Sequence, residues 1–153
     1  MMLGLPQLPP HLTHLDKRRQ YRYDTRRYND TGQSLDVWKR GQLEGAPVLL
    51  WLPGGAWASA SRFTMQGHAL MAQLVEQGWI CLSVDYRTAP WSHWSAQLDD
   101  ALTAVDWARI NAKEYGGDPD FVCIAGASAG GHLATLVGQR GAVDAVASLY
   151  GSY

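Results

Sequence analysis

Charge, cysteine and long hydrophobic runs are all scarce in this sequence, and each shortage narrows what the protein can be. The 153 residues carry 13 basic and 14 acidic side chains, so a net charge of −1 produces no overall field to attract nucleic acid or an anionic membrane. The two cysteines, Cys81 and Cys123, lie in separate apolar segments without the short spacing of metal ligands. We therefore expect buried, reduced thiols and no metal or organic cofactor.

The sequence also lacks the pattern of a signal peptide or a membrane span. Residues 1–10 contain three prolines but no apolar block of signal-peptide length, and no window of the chain approaches the length needed to cross a bilayer. We therefore expect a cytoplasmic protein that binds neither membrane nor nucleic acid. The basic run from Lys17 to Arg27 is then a solvated face, with a nucleic-acid-binding arm as the alternative.

Apolar residues make up 46% of the sequence, which is enough for the core of one globular domain. We predict that this partial domain spans residues 21–153 and that an irregular arm over residues 1–20 precedes it. Interleaved aromatic and polar residues on both sides of a turn at 29–32 indicate an antiparallel hairpin. Beyond the hairpin, apolar runs typical of buried strands alternate with helical patterns. The predicted strands lie at 48–52, 79–84, 121–125 and 143–150, and the predicted helices lie at 63–77, 95–115 and 129–139.

This alternation predicts an α/β fold, a mostly parallel sheet with helices on both faces and the hairpin as an antiparallel edge. In such sheets, ligands bind beyond the carboxyl ends of the strands. Two glycine-rich turns, Pro53–Trp57 and Gly126–Gly130, follow directly on predicted strands. We expect both turns to lie on one side of the sheet and to form a common site.

The second turn has the G-x-S-x-G pattern, with Ser128 between Gly126 and Gly130. Between a strand and a helix, this pattern indicates a nucleophile elbow, in which the serine adopts a strained backbone conformation and other backbone passes close to both glycines. The hydroxyl is then held out at the carboxyl end of the sheet, and the first amides of the following helix point toward it. An oxyanion above Ser128 would be stabilised by those amides.

Four motifs in order resemble the amino-terminal half of α/β-hydrolases of the hormone-sensitive-lipase-like carboxylesterase group. They include the glycine-rich turn, where this chain has Pro53 in place of the histidine of the family's H-G-G-G loop, and a segment resembling the family's D-Y-R-x-A-P. Because the loop acts through its backbone amides, we expect its function to survive this replacement. The four matching segments lie at 52–57, 84–90, 114–119 and 126–134.

The resemblance implies a role for several residues. Ser128 would be the acylated nucleophile, and the backbone amides of Gly55, Ala56 and Ala129 would form the oxyanion hole. Trp57 would flank the acyl pocket. The resemblance implies no metal.

In this family the triad acid and histidine follow the nucleophile in the chain, but few residues follow Ser128 here. Asp144 lies at the amino end of the last predicted strand, at the end of the sheet away from Ser128, and we expect His132 to pack on its helix or to line the pocket. His93 is a further histidine that could approach the site. We therefore expect a truncated or split hydrolase with little turnover, whose exposed last strand favours self-association or pairing with a complementing chain.

The function that these motifs favour is a serine carboxylester hydrolase acting on small-molecule esters with short to medium acyl chains. Its substrate pocket would draw on Trp57, with Trp91 and Trp94 as either pocket residues or loop-packing aromatics. The sequence leaves open an arylformamidase or a peptidase-type hydrolase, because similar turns and elbows occur in hydrolases that cleave amides. It also leaves open a non-catalytic hydrolase remnant that acts as a binding or pairing module.

Overall fold

A single mixed sheet organises the protein in a computed structural model that describes residues 13–152. Within that range the sheet has six strands in the order β1-β2-β4-β3-β5-β6. The strands are β1 (Arg22–Arg27), β2 (Ser34–Trp38), β3 (Ala46–Leu52), β4 (Ile80–Val84), β5 (Gly117–Ala127) and β6 (Ala145–Leu149). The helices are α1 (Thr13–Tyr21), α2 (His68–Glu76), α3 (Ala96–Asn111) and α4 (Ala129–Gln139), and short 3-10 turns precede α2 and follow α3.

The strand directions match the predicted α/β fold. Strand β1 pairs antiparallel with β2, and β2 pairs antiparallel with β4, so the predicted hairpin forms one edge of the sheet. The remaining pairs, β3 with β4, β3 with β5 and β5 with β6, are parallel. The parallel part is therefore built from strands that alternate with helices, as the periodicity indicated.

Helices cover both faces of the sheet. Helices α3 and α4 bury apolar residues such as Leu98, Val105 and Leu133 in the larger of two core clusters. Helix α2 buries Met71 and Val75 against the other face. Each fully buried large side chain contributes about 1.5–3 kcal/mol, so these two clusters supply most of the driving force that holds helices to the sheet.

The prediction of an irregular arm over residues 1–20 is wrong for the part that the structure describes, because Thr13–Tyr21 form helix α1. Residues 1–12 lie outside the described range. The helical segment contains neither glycine nor proline, and tertiary contacts hold it in place. Arg18 Nε donates a hydrogen bond to Asp36 Oδ2 over 2.7 Å, and the Tyr21 ring stacks on Trp38. None of the helices within residues 13–152 has the length and hydrophobicity needed to cross a membrane.

Helix α2 begins later than the predicted residue 63. Thr64 has an extended backbone conformation, with φ −64° and ψ 128°, so the helix starts only at His68 after a 3-10 turn. Phe63 is half exposed and lies beneath two guanidinium groups, those of Arg18 and Arg62, at 4.6 and 4.2 Å from its ring centre. Its apolar side chain therefore packs against cations rather than in the core.

Both cysteines are free and buried, as expected from the sequence. Burial raises the pKa of the Cys81 thiol well above its ordinary value, and it also raises the pKa of Cys123. Because the thiolate is the reactive form, both residues behave as small core residues.

Strand β6 pairs with β5 at the second edge of the sheet. Two of its apolar side chains are partly exposed, Val146 at 43% and Leu149 at 42%. At its amino end, Asp144 Oδ2 accepts hydrogen bonds from the Val122 amide and from Arg109, which together lower the pKa of that carboxyl. Asp144 therefore anchors the strand at the end of the sheet opposite Ser128, as expected.

Candidate active site

Ser128 occupies the sharp turn between β5 and α4. Its backbone has φ 53° and ψ −118°, a conformation that side-chain-bearing residues rarely adopt and that costs about 1–3 kcal/mol. The turn is held by its backbone, since Ser128 N donates to Leu149 O over 2.9 Å and Ser128 O accepts from His132 N over 3.0 Å. Such strain persists only where surrounding structure enforces it, and here that structure is the sheet and α4.

The two glycines of the turn are required by close backbone approach. A Cβ atom on Gly126 would lie 2.3 Å from Gly130 O, and one on Gly130 would lie 2.0 Å from Leu52 O. Both distances are far below any van der Waals contact. The missing side chains therefore let the start of α4 pack directly against the ends of β3 and β5, which confirms the steric reason for both glycines.

The glycine-rich turn after β3 lies directly against Ser128. A Cβ atom on Gly54 would be 3.2 Å from Ser128 Cβ. Three successive residues of this turn have positive φ angles, Gly55 at 144°, Ala56 at 49° and Trp57 at 59°. The two turns that the sequence placed on one side of the sheet are therefore in contact.

Residues distant in sequence hold this turn in place. Gln66 Oε1 accepts a hydrogen bond from Gly54 N over 2.8 Å, and the Tyr86 hydroxyl donates to Pro53 O over 2.6 Å. Burial raises the pKa of Tyr86, so the phenol remains a donor. Sequence reasoning missed Gln66, for which no local pattern exists, whereas Tyr86 belongs to the D-Y-R-like segment. These contacts order the loop that carries Pro53 in place of histidine.

Three backbone N–H groups at the corner formed by the Ser128 turn and the glycine-rich turn after β3 have no acceptor in the described part of the protein. Across residues 13–152, the amides of Gly55, Ala56 and Ala129 donate no hydrogen bond to another protein group. Gly55 and Ala56 belong to the turn beside Ser128, and Ala129 is the first residue of α4. The positive end of the α4 dipole adds to the attraction for negative charge here. The turn after β3 and the start of α4 therefore present unused donors beside Ser128.

A cleft of about 460 Å³ opens beside Trp57, at the end of the glycine-rich turn after β3. His132 lies in its wall, with the Trp57 ring edge-on at 5.7 Å and the Trp94 ring at 5.9 Å. Trp91 is 89% exposed and does not line the cleft, so of the three candidate tryptophans only two do. Its walls include Trp57, Pro90, His93, Trp94, Gln97 and His132.

The histidines lie in different surroundings. His132 and His93 both line the cleft, whereas His68 is buried on α2 against Trp38, with ring centres 4.9 Å apart. In the described part of the chain, no hydrogen bond joins the Ser128 hydroxyl to a histidine ring. The site thus holds a serine and unused amides, while its histidines form the cleft wall.

The D-Y-R-like segment supports the cleft through ion pairs. The Arg87 guanidinium donates hydrogen bonds from Nε and Nη2 to the carboxylate oxygens of Asp100 over 2.8 to 3.1 Å, and Asp100 is only 2% exposed. This hydrogen bonding raises the pKa of Arg87. The Asp85 carboxylate accepts from Arg62. Asp100 lies on α3, and its pairing ties that helix to the loop that borders the cleft.

Comparison with known proteins places this architecture in a family. The BD-FAE family model matches residues 35–152. The esterase LipC of Mycobacterium tuberculosis (strain ATCC 25618 / H37Rv) is 44% identical to this chain over 142 residues, and the match covers 82% of this chain and 35% of LipC. The esterase LipQ of the same organism is 40% identical over 174 residues, and the match covers 99% of this chain and 39% of LipQ. The chain therefore spans little more than a third of these relatives.

Solved structures agree with this assignment. An esterase of Pyrobaculum calidifontis superposes with a TM-score of 0.75 at 25% identity, covering 92% of this chain and 48% of the other. Esterase Est2 of Thermogutta terrifontis with bound propionate gives a TM-score of 0.66 at 25% identity, covering 72% of this chain and 43% of the other. The resemblance drawn from the sequence motifs is confirmed: the chain belongs to the BD-FAE family and has the α/β-hydrolase fold of its esterase relatives.

Proposed function

We propose that Ser128 is the nucleophile of a serine carboxylester hydrolase that acts on small-molecule esters with short to medium acyl chains. The observation that carries this proposal is the strained Ser128 backbone, with φ 53°, in contact with a turn whose amides are unused. Strain at a non-glycine residue marks a functional position when the fold has to maintain it. The relatives are esterases, which favours an ester over an amide substrate.

The reaction proceeds in two steps. Ser128 Oγ forms a bond to the ester carbonyl carbon, the carbonyl oxygen becomes an oxyanion, and the alcohol leaves with a proton. Water then attacks the acyl-serine, releases the carboxylic acid and restores the hydroxyl. The serine proton passes to a base in the first step, and the leaving alcohol takes a proton from its conjugate acid.

The amides of Gly55, Ala56 and Ala129 are proposed to bind the oxyanion. Each well-aimed donor lowers the barrier by about 2.7–4 kcal/mol, because the charge develops only in the transition state. Trp57 then borders the acyl group in the cleft. Since no histidine is hydrogen-bonded to Ser128 in the part of the chain described, we expect the 153 residues alone to hydrolyse esters slowly.

The buried free thiols of Cys81 and Cys123 favour a cytoplasmic setting for the protein.

Covalent labelling tests the nucleophile without requiring turnover. The purified chain is incubated for hours with excess fluorophosphonate, because a serine without a positioned base reacts slowly, and the adduct is counted by intact mass. We expect one adduct per chain, its loss in Ser128→Ala, and its retention in Ser59→Ala, which removes an exposed serine of the neighbouring turn. Labelling that persists in Ser128→Ala, or no labelling of the unmodified chain, would refute the assignment and favour a non-catalytic remnant.

A matched pair of substrates separates ester from amide hydrolysis. Hydrolysis of p-nitrophenyl butyrate is compared with that of p-nitroformanilide, each beside Ser128→Ala. We expect Ser128-dependent hydrolysis of the ester to exceed that of the formanilide. A formanilide rate above the ester rate would favour the arylformamidase alternative.

A further inference from the structure

Three residues that line the cleft each carry a buried polar atom without a hydrogen-bond partner within the described residues. The atoms are Trp57 Nε1, Gln97 Oε1 and His132 Nδ1, contributed by the turn after β3, by α3 and by α4. Buried polar groups in folded proteins are nearly always paired, so three unpaired atoms around one cavity require an explanation. A ligand that supplies the missing partners is one.

Gln97 is the most constrained of the three. It is 3% exposed, and its Nε2 approaches Ser92 O at 3.4 Å, a distance at the long limit for a hydrogen bond. This orientation points the amide nitrogen to the Ser92 backbone and leaves the carboxamide oxygen as an unused acceptor. The contact with Ser92 uses the amide nitrogen, and the buried carboxamide oxygen is left for another partner.

The rest of the cleft restricts the chemistry of the ligand. Among the described residues that line it, none is Asp, Glu, Lys or Arg. A charged group would therefore enter without a counter-charge, which is unfavourable in a site with apolar walls. Trp57, Pro90 and Trp94 provide those walls. The unpaired donor and acceptor suit a neutral group that has a hydroxyl or an amide.

We propose that Gln97 and Trp57 select substrates whose cleft-bound part is neutral and has a hydroxyl or amide group, over plain alkyl esters of equal length. This inference rests on the proposed function, since it assigns the specificity of the same site. A substrate hydroxyl donates to Gln97 Oε1 and accepts from Trp57 Nε1–H. A plain alkyl group leaves both unpaired, and sites with unpaired buried polar groups reject such analogues.

Binding to the Ser128→Ala chain tests the preference independently of catalysis. The ligands are methyl 6-hydroxyhexanoate and methyl hexanoate, which differ only in the terminal hydroxyl. Dissociation constants come from titrations followed by the indole N–H resonances, assigned with Trp57→Phe. We expect the hydroxy ester to bind about thirtyfold more tightly and to shift the Trp57 resonance, because the hydroxyl makes two hydrogen bonds and each supplies about fivefold.

Three variants decide the assignment of that preference. Gln97→Met, which keeps the side-chain length without the carboxamide, is expected to abolish the preference, and Gln139→Met, at an exposed glutamine on α4, is expected to keep it. Trp57→Phe removes the indole N–H together with the pyrrole part of the ring but keeps an aromatic side chain. It is expected to reduce the preference, which provides a second test if Gln97→Met fails to fold. Equal binding of the two esters, or a preference retained in the cleft variants, overturns the inference. Fluorophosphonate labelling of the unmodified chain reports separately on the proposed function.

Discussion

The corner around Ser128 and the edge formed by β1 and β2 are held in place by different forces. At the corner, backbone packs on backbone, and Gly126 and Gly130 leave no room for a single added carbon. At the edge, the carboxylate of Asp36 is fully buried and is bound by Arg18 at 2.7 Å and by Arg62 at 3.3 Å. The first arrangement is steric and local to the sheet, whereas the second is electrostatic and joins separate elements.

This difference matches what each region has to do. In the proposed function, Ser128 and the amides beside it must be placed to within a fraction of an ångström. Direct backbone contact sets the Ser128 turn, and the Gln66 and Tyr86 side chains fix the turn at Gly54. Helix α1 and the hairpin need only remain attached to the sheet. Long charged side chains can do that, because Arg18 and Arg62 both reach the carboxylate of Asp36 from separate segments of the chain.

The largest predicted effect comes from adding a carbon to the corner. Gly130→Ala is expected to lower the free energy of unfolding by about 3 kcal/mol or more, since its Cβ meets the backbone of Leu52 and Pro53. The matched control is Gly141→Ala, which also has a positive φ, 68°, but open space around it, and should cost about 1 kcal/mol. Urea unfolding followed by tryptophan fluorescence measures both, and equal losses would show that the corner is not sterically held.

Removing the buried charge at the edge is predicted to have a smaller effect. Asp36→Asn should lower the free energy of unfolding by about 2 kcal/mol, because Arg18 and Arg62 lose a charged partner while Thr25 keeps an acceptor. Asp106→Asn, the same change at an exposed aspartate on α3, should stay within about 0.5 kcal/mol. A loss for Asp36→Asn no larger than this control would contradict the electrostatic account of the edge.

Acidification is predicted to have the smallest effect, and at the edge formed by β1 and β2 it acts through Asp24. Burial acts to raise the pKa of Asp24 on β1, but hydrogen bonds from Arg26, Tyr115 and the Thr25 amide outweigh it and hold the pKa below the ordinary value of 3.8. The folded state then binds a proton less readily than the unfolded state. The stabilisation is therefore present above pH 3.8 and is lost as the pH falls below it.

Urea midpoints measured between pH 6 and pH 2.5 check this prediction. The unmodified chain should lose stability more steeply below pH 3.8 than Asp24→Asn, in which this carboxyl no longer titrates. Identical pH profiles would indicate that Asp24 contributes nothing to attachment of the hairpin.

Much of the fold followed from local patterns. The alternation of apolar runs and helical spacing located every strand of the parallel sheet, and the G-x-S-x-G pattern identified Ser128 between β5 and α4. The start of α2 was misplaced, because Phe63 fits a helical pattern yet packs beneath Arg18 and Arg62. Helix α1 was missed for a similar reason: its weakly patterned sequence becomes helical where Arg18 and Tyr21 contact the sheet and α2.

The sequence by itself determined the class of fold and the position of the strained serine, because strand and helix periods and the steric needs of glycine act over a few residues. Only the tertiary structure decided which side chains support the turn beside that serine and line the neighbouring cleft. Gln66 supports the turn at Gly54, and Gln97 reaches the same cleft as Trp57 and His132. These groups are far apart along the chain, and their meeting depends on how helices pack across the sheet, which no local pattern encodes.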